Sequence, residues 1–118
     1  MKHKRTTLLW VFRISLITPL TTGLAASAAN KPDPRHGAKV FQEASCAVCH
    51  PGGGNTTNPK KPIKGDKFVN EYKDDSKIEK VVRHGLGSMP AFNPKMISDS
   101  DLKDLIAYIR SLTPKKGK

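Results

Sequence analysis

The chain has 118 residues, which allows one domain, and its 21 basic residues against 10 acidic ones give a formal net charge of +11. Two cysteines are too few for a disulfide-rich scaffold, and aromatic residues at 6% offer few rings for stacking on single-stranded nucleic acid. Because net charge steers association rather than setting the fold, the excess of positive charge indicates an acidic protein partner. The few aromatic rings, together with the export signal described next, argue against nucleic acid as that partner.

Residues 1–29 have the layout of a secretory signal. A positive start is followed by an apolar run over residues 14–24 and by small residues at 26–29. That run is shorter than the roughly 20 residues of a membrane-spanning helix. We therefore expect cleavage, export without stable membrane insertion, and a mature domain over residues 30–118; the alternative is an uncleaved anchor. The mature part keeps 17 basic and 10 acidic residues.

The first helix is predicted from Arg35 to Ala44, after a proline-rich lead-in. Gly37 costs helix stability, so we expect a close packing contact there. From Cys46 to Lys67 the sequence is rich in glycine, proline and asparagine, which predicts a long loop.

A middle helix is predicted next, with Ser76 and Glu79 as its capping box and Gly85 as its stop. The last helix has the clearest pattern: Ser98 and Asp101 form a second capping box, and apolar residues recur with helical spacing up to Leu112. No strand-like alternation is present. The sequence predicts an all-α domain of three to four short helices, with long loops that need something to pack against.

The motif Cys46-Ala47-Val48-Cys49-His50 attaches c-type haem. Two thiols three positions apart can each add to one vinyl group of the same porphyrin, and His50 then falls beneath the ring as an iron ligand. One covalent haem c, with its iron, would also supply the core that so small a domain lacks.

Two other uses of this motif are weaker. A structural zinc site needs four ligands, and only the distant His36 and His84 remain to complete it. A redox dithiol is typical of a strand-helix-strand pattern, which is absent.

Three residues are candidates for the sixth iron ligand. Met89 lies in a breaker-rich loop and precedes Pro90, which keeps it out of helical conformation and favours rigid presentation of its thioether. Met96 also fits as a flexible filler against the last helix, and His84 is favoured by the dipole at a helix end. We expect Met89; an open sixth site is the remaining alternative.

Surrounding residues suggest supporting roles. We expect the second nitrogen of His50 to bond a backbone carbonyl near Lys61-Pro62. Asn55 is a candidate contact for a haem propionate, with a plain turn-forming role equally favoured. Lysines are dense near the motif and form either a solvated face or a docking patch; they are Lys60, Lys61, Lys64, Lys67, Lys73, Lys77 and Lys80.

At this point the sequence resembles the class I cytochromes c. Gly37 and Phe41 before the motif, Met89-Pro90-Ala91-Phe92 after it and Tyr108 in the last helix match that pattern in order, over nearly all of the mature chain. It is most similar to the small soluble monohaem cytochromes of bacteria and algae, including the kind that replaces plastocyanin. The resemblance implies His50 and Met89 as axial ligands, Gly37 and Phe41 packed against the last helix near Tyr108, and loops wrapped around one haem.

Two positions depart from the family pattern. Four residues separate Phe41 from Cys46 where three are usual, and Val81 stands where the photosynthetic type has a glutamine eight residues before its methionine. An apolar residue in place of a polar one near the haem is expected to change the reduction potential.

These features together predict a monomeric electron carrier of the periplasm, or of the thylakoid lumen in a photosynthetic host, and not an enzyme. Its partners would be redox proteins with acidic docking surfaces: a membrane oxidoreductase, a terminal oxidase, a photosystem or another cytochrome. The alternative is a haem protein with an open sixth site, a gas or ligand sensor or a small peroxidase, if the longer spacer before Cys46 detaches Met89.

Overall fold

The computed structural model describes residues 31–114. The predicted signal, residues 1–29, and the basic tail, residues 115–118, lie outside the described residues. Within the described part the chain is helical and has no strand, which confirms the all-α class, with five α-helices where three to four were predicted. They are α1 Pro34–Glu43, α2 Cys46–Cys49, α3 Asp66–Glu71, α4 Asp75–His84 and α5 Asp99–Ser111, with a short 3-10 helix at Pro51–Gly53.

Helix α1 begins one residue before the predicted start because Asp33 caps it. The Asp33 carboxylate accepts the Arg35 N–H at 2.9 Å, and Pro34 occupies the first turn, where its missing N–H costs nothing. The Asp33 N–H in turn donates to the Asp104 carboxylate of α5 at 2.8 Å. The start of α1 is therefore tied to α5.

The close contact expected at Gly37 is where α1 crosses α5. A Cβ at this position would overlap the carbonyl group of Asp104 and lie 2.9 Å from the Leu105 nitrogen. One turn further on, the rings of Phe41 and Tyr108 meet edge to face with centroids 5.2 Å apart. Both contacts confirm the packing that the family resemblance implies.

The prediction of a long loop over residues 46–67 is wrong at both ends of that range. Cys46–Cys49 forms one helical turn, too short to show any periodicity, and α3 already begins at Asp66. Helix α3 is held by Phe68, which is buried and stacks on Tyr72 with centroids 4.9 Å apart. Tertiary packing therefore makes a helix of a segment that shows little helical signal by itself.

The capping box predicted at Ser76 is also wrong. Helix α4 begins at Asp75, so Ser76 lies inside its first turn, and the Asp74 side chain that precedes it makes no capping bond. Instead, Asp75 accepts from the Nε of Arg110 at 2.9 Å, which ties the start of α4 to the end of α5. The predicted stop is confirmed, since Gly85 ends the helix with a φ of +75°.

Helix α5 begins as predicted. The Ser98 hydroxyl accepts the Asp101 N–H at 3.1 Å and donates to the Asp101 carboxylate at 2.8 Å. The apolar face of α5 is buried in one core with the other elements; the core residues are Val40, Phe41, Phe68, Ile78, Val82, Phe92, Ile97, Leu102, Leu105, Ile106 and Ile109. Over the described range, none of the helices is both long and apolar enough to cross a bilayer.

Candidate functional site

Helix α2 places the two cysteines at either end of a single turn. Ser45, with a φ of +60°, breaks the chain direction after α1, and this left-handed residue lies within the longer spacer before the motif. Cys46 is half-buried and Cys49 is exposed. Burial raises the pKa of the Cys46 thiol, with a smaller opposing effect from its backbone hydrogen bond. Residues three apart in a helix share a face, so both thiols can reach one planar group.

His50 follows directly and is fixed at two points. Its N–H donates to the Cys46 carbonyl at 2.8 Å, and its ring Nδ1 lies 2.9 Å from the carbonyl oxygen of Gly54. Because a carbonyl only accepts, Nδ1 carries the proton and the lone pair of Nε2 remains for a metal. The expectation of a backbone carbonyl is confirmed, but its predicted place near Lys61-Pro62 is wrong.

The glycine run explains why the partner is Gly54. Gly52 and Gly53 have φ values of +56° and +80°, so the chain turns back within four residues of His50. The Lys61 carbonyl accepts from the Asn55 amide at 3.0 Å instead. The signal for this turn was visible in the sequence as three consecutive glycines.

Asn55 organises the loop that follows. Besides the bond to Lys61, its side-chain oxygen accepts from the Thr57 hydroxyl at 2.9 Å and from the Asn58 N–H at 3.0 Å. These bonds give it the turn-forming role that was one of its two predicted uses. Its side chain also lines the cavity described below.

Met89 lies in a loop that α4 anchors. Its N–H and carbonyl pair with Leu86 at 3.0 and 3.2 Å, and the Phe92 N–H donates to the Val82 carbonyl at 2.9 Å. Gly85 must lack a side chain here, since a Cβ would lie 2.6 Å from the Met89 oxygen. The loop therefore presents a half-buried Met89 against the core.

One cavity of about 400 Å³ brings these groups together. Its lining includes Cys46, Cys49, His50 and Met89, and much of its wall is apolar. The volume falls in the range of about 300–1,000 Å³ that is usual for ligand pockets. Apolar wall residues that the sequence did not single out for the site include Ile63, Phe68, Tyr72 and Ile109.

The other candidate ligands lie elsewhere. His84, Met96 and His36 do not line this cavity. Met96 is 60% exposed, so its predicted role as filler packed against the last helix is wrong. The apolar cavity thus combines two cysteine thiols, an imidazole whose Nε2 is available and a thioether. This set of groups fits a covalently held haem and its iron.

Comparison with known proteins agrees with this geometry. Residues 32–109 match the protein family described as "Cytochrome C oxidase, cbb3-type, subunit III". The chain is 38% identical over 99 residues to a cytochrome c6 of Thermosynechococcus vestitus, covering 81% of this chain and 80% of the relative. It is also 34% identical over 84 residues to a cytochrome c6 of the alga Petalonia fascia, covering 70% of this chain and 96% of the relative.

Solved structures show the same likeness. Cytochrome c6 from the diatom Phaeodactylum tricornutum superposes with a TM-score of 0.58 at 30% identity, covering 67% of this chain and 92% of that one. OmcF, an outer-membrane cytochrome from Geobacter sulfurreducens, gives a TM-score of 0.58 at 29% identity, covering 66% of this chain and 99% of that one.

Proposed function

The chain belongs to the class I cytochromes c, small monohaem electron-transfer proteins with covalent haem c, and from that membership we propose that Cys46 and Cys49 hold the haem and that His50 and Met89 ligate its iron. The observation that carries this assignment is that all four residues line the same largely apolar cavity. The assignment makes the protein a carrier of one electron at a time.

Covalent attachment through both cysteines is tested by extraction. Wild-type protein matured in a host with haem-attachment machinery should keep its haem through acid–organic extraction, and so should the control Met96→Ala. The double variant Cys46→Ser/Cys49→Ser should release any haem it binds. Retention of haem by the double variant would refute attachment at these residues.

His50 would bind the iron through its Nε2. The Gly54 carbonyl that accepts from Nδ1 fixes the tautomer and orients the ring, and such a bond raises the basicity of the nitrogen that faces the metal. The bound haem supplies the one-electron couple of iron. His50 therefore acts as a rigid ligand whose proton stays on the side away from the metal.

Met89 would bind the iron through its thioether sulfur. A methionine ligand favours reduced iron and raises the reduction potential. If His50 and Met89 both bind the iron, no ligand position would remain for a substrate, and the protein would be a carrier and not an enzyme. In the oxidised protein this ligation is recognised by a weak far-red absorption band.

The side chains near the cavity mouth give the site a positive rim. Lys60, Lys61, Lys64 and Lys67 all line the cavity, and Glu71 is the one acidic residue in its lining. Of these four lysines, only Lys61 forms an ion pair with Glu71, with Nζ and Oε1 3.9 Å apart. We propose that this rim steers acidic redox partners, whether a membrane oxidoreductase, a terminal oxidase, a photosystem or another cytochrome, into short-lived encounters. We also propose Asn55 as a contact for a haem propionate, because its side chain lines the cavity and its amide nitrogen has a second hydrogen besides the one bonded to Lys61.

Small redox probes test the rim. Oxidation by anionic ferricyanide should slow as salt is added and should be slower in Lys64→Gln/Lys67→Gln, since screening and charge removal weaken the same attraction. Lys103→Gln, an exposed lysine of α5 outside the cavity lining, is the control and should behave as wild type. A rate independent of salt in every variant would contradict the proposal.

The place of action is proposed from the N-terminal sequence. Residues 1–29 would direct export and be removed, leaving a monomer in the periplasm, or in the thylakoid lumen of a photosynthetic host. Mass spectrometry of the protein recovered from the periplasm tests this: a chain beginning near residue 30 is expected, and an intact N-terminus in the membrane fraction would overturn it.

A further inference from the structure

Arg83 makes three contacts across the loop that carries Met89. From the last turn of α4, its guanidinium donates to the Phe92 carbonyl at 3.1 Å, to the Ile97 carbonyl at 2.7 Å and to the Asp99 carboxylate at 2.6 Å. The side chain is only 13% exposed. One residue thus fixes the end of α4, the middle of the loop and the start of α5.

These contacts complete a set of anchors around Met89. Before it, the Gly85 N–H donates to the Val81 carbonyl at 2.8 Å; after it, the Phe92 N–H donates to the Val82 carbonyl. Phe92 is therefore held on both sides, by its N–H to α4 and by its carbonyl to Arg83. Met89 lies between two points that are both fixed to the same helix.

Arg83 does not line the cavity in which the haem is proposed to lie. Its effect has to pass through the main chain, because two of its three acceptors are backbone carbonyls. A planar guanidinium can bond several acceptors at fixed angles, whereas a lysine ammonium is a single point charge on a flexible stem. Loss of the guanidinium would free the segment after Met89 without removing any side chain that lines the cavity.

We propose that Arg83 is a positioning residue for the axial methionine: by holding Phe92 and Ile97 it keeps the loop closed and Met89 on the iron. This inference rests on the proposed ligation by Met89. On this proposal the thioether leaves the iron when the loop moves outward, so weakening the loop should let an added ligand compete more easily for the sixth position.

Arg110 is a matched control for Arg83. It is 25% exposed and also donates to a carboxylate and a main-chain carbonyl, those of Asp75 at 2.9 Å and Lys73 at 3.2 Å, but it joins α5 to the start of α4, outside the Met89 loop. Arg83→Gln and Arg110→Gln remove similar interactions at different places. Both variants should unfold at lower urea concentration than wild type.

The test is an imidazole titration of the oxidised holoprotein at fixed pH, followed by loss of the far-red band. Arg83→Gln should need about tenfold less imidazole for half-displacement of the methionine, equal to about 1.4 kcal/mol. Arg110→Gln should stay within about twofold of wild type. Arg83→Lys, which keeps the charge, should fall between Arg83→Gln and wild type.

Each outcome of the titration supports or overturns the positioning of Met89 by Arg83. Equal imidazole sensitivity of the two glutamine variants overturns the positioning role while His50–Met89 ligation stands. Absence of the far-red band in wild type overturns the ligation and this inference together. If Arg83→Gln yields no holoprotein, Arg83→Lys is compared with Arg110→Lys, and equal sensitivity of that pair overturns the positioning role.

Discussion

Substitution of Gly37 by alanine is the sharpest test of the packing that supports the site. The added methyl group would overlap the Asp104 carbonyl and lie 2.9 Å from the Leu105 nitrogen, so its neighbours are the backbone of α5 and cannot rotate away. Overpacking of this kind costs about 1–3 kcal/mol, and a backbone obstacle puts this case near 3. Alanine recovers about 1 kcal/mol in helix propensity. The net expectation is a loss of about 2 kcal/mol.

Urea unfolding of the oxidised holoprotein, followed by circular dichroism, measures this loss. For a domain of this size, a loss of about 2 kcal/mol corresponds to a fall in melting temperature of about 8–16 °C. Gln42→Ala, an exposed substitution on the same helix, is the control and should change stability by no more than a few tenths of a kcal/mol. If Gly37→Ala stays within about 0.5 kcal/mol of wild type, the close crossing of α1 and α5 is refuted.

Two further substitutions test local features of the fold. Ser98→Ala should lower the free energy of unfolding by about 1 kcal/mol, because it removes the cap of α5. Ser76→Ala should lower it little, because Ser76 lies inside the first turn of α4. Equal losses of the two variants in urea unfolding would contradict these helix starts. In Asp104→Asn the free energy of unfolding should fall less steeply as the pH is lowered than in wild type. The Asp33 N–H, and after it His36, hold the Asp104 pKa below its usual range, so this stabilisation is present above about pH 4 and is lost as the pH falls through the lower folded-state pKa. Urea unfolding from pH 5 to pH 2 measures the slope, and an unchanged slope in Asp104→Asn would count against the Asp33–Asp104–His36 contacts.

Local patterns predicted the parts of the molecule that local interactions decide. The start of α5 follows from Ser98 and Asp101, and the end of α4 follows from Gly85, because a cap and a positive φ involve only neighbouring residues. The haem-attachment motif is likewise contiguous. These features could be found without knowledge of the fold.

Long-range contacts decided the features that the sequence misplaced or did not reveal. The Asp75–Arg110 pair spans 35 residues, and α4 begins at Asp75 and not at the local signal Ser76. Which carbonyl bonds His50 depended on how tightly three consecutive glycines turn the chain. Whether Met96 is buried or exposed depended on the direction in which its side chain points from the loop. Arg83 looked like an ordinary basic residue near a helix end until its acceptors, up to 16 residues away, were located.

Ligation of iron by His50 and Met89 is the central claim, and the visible spectrum of the oxidised holoprotein tests it most directly. The far-red band should be present in wild type, absent in Met89→Ala, and retained in Met96→Ala and His84→Ala, whose residues do not line the cavity. A band that survives Met89→Ala, or that disappears in His84→Ala, would contradict the account.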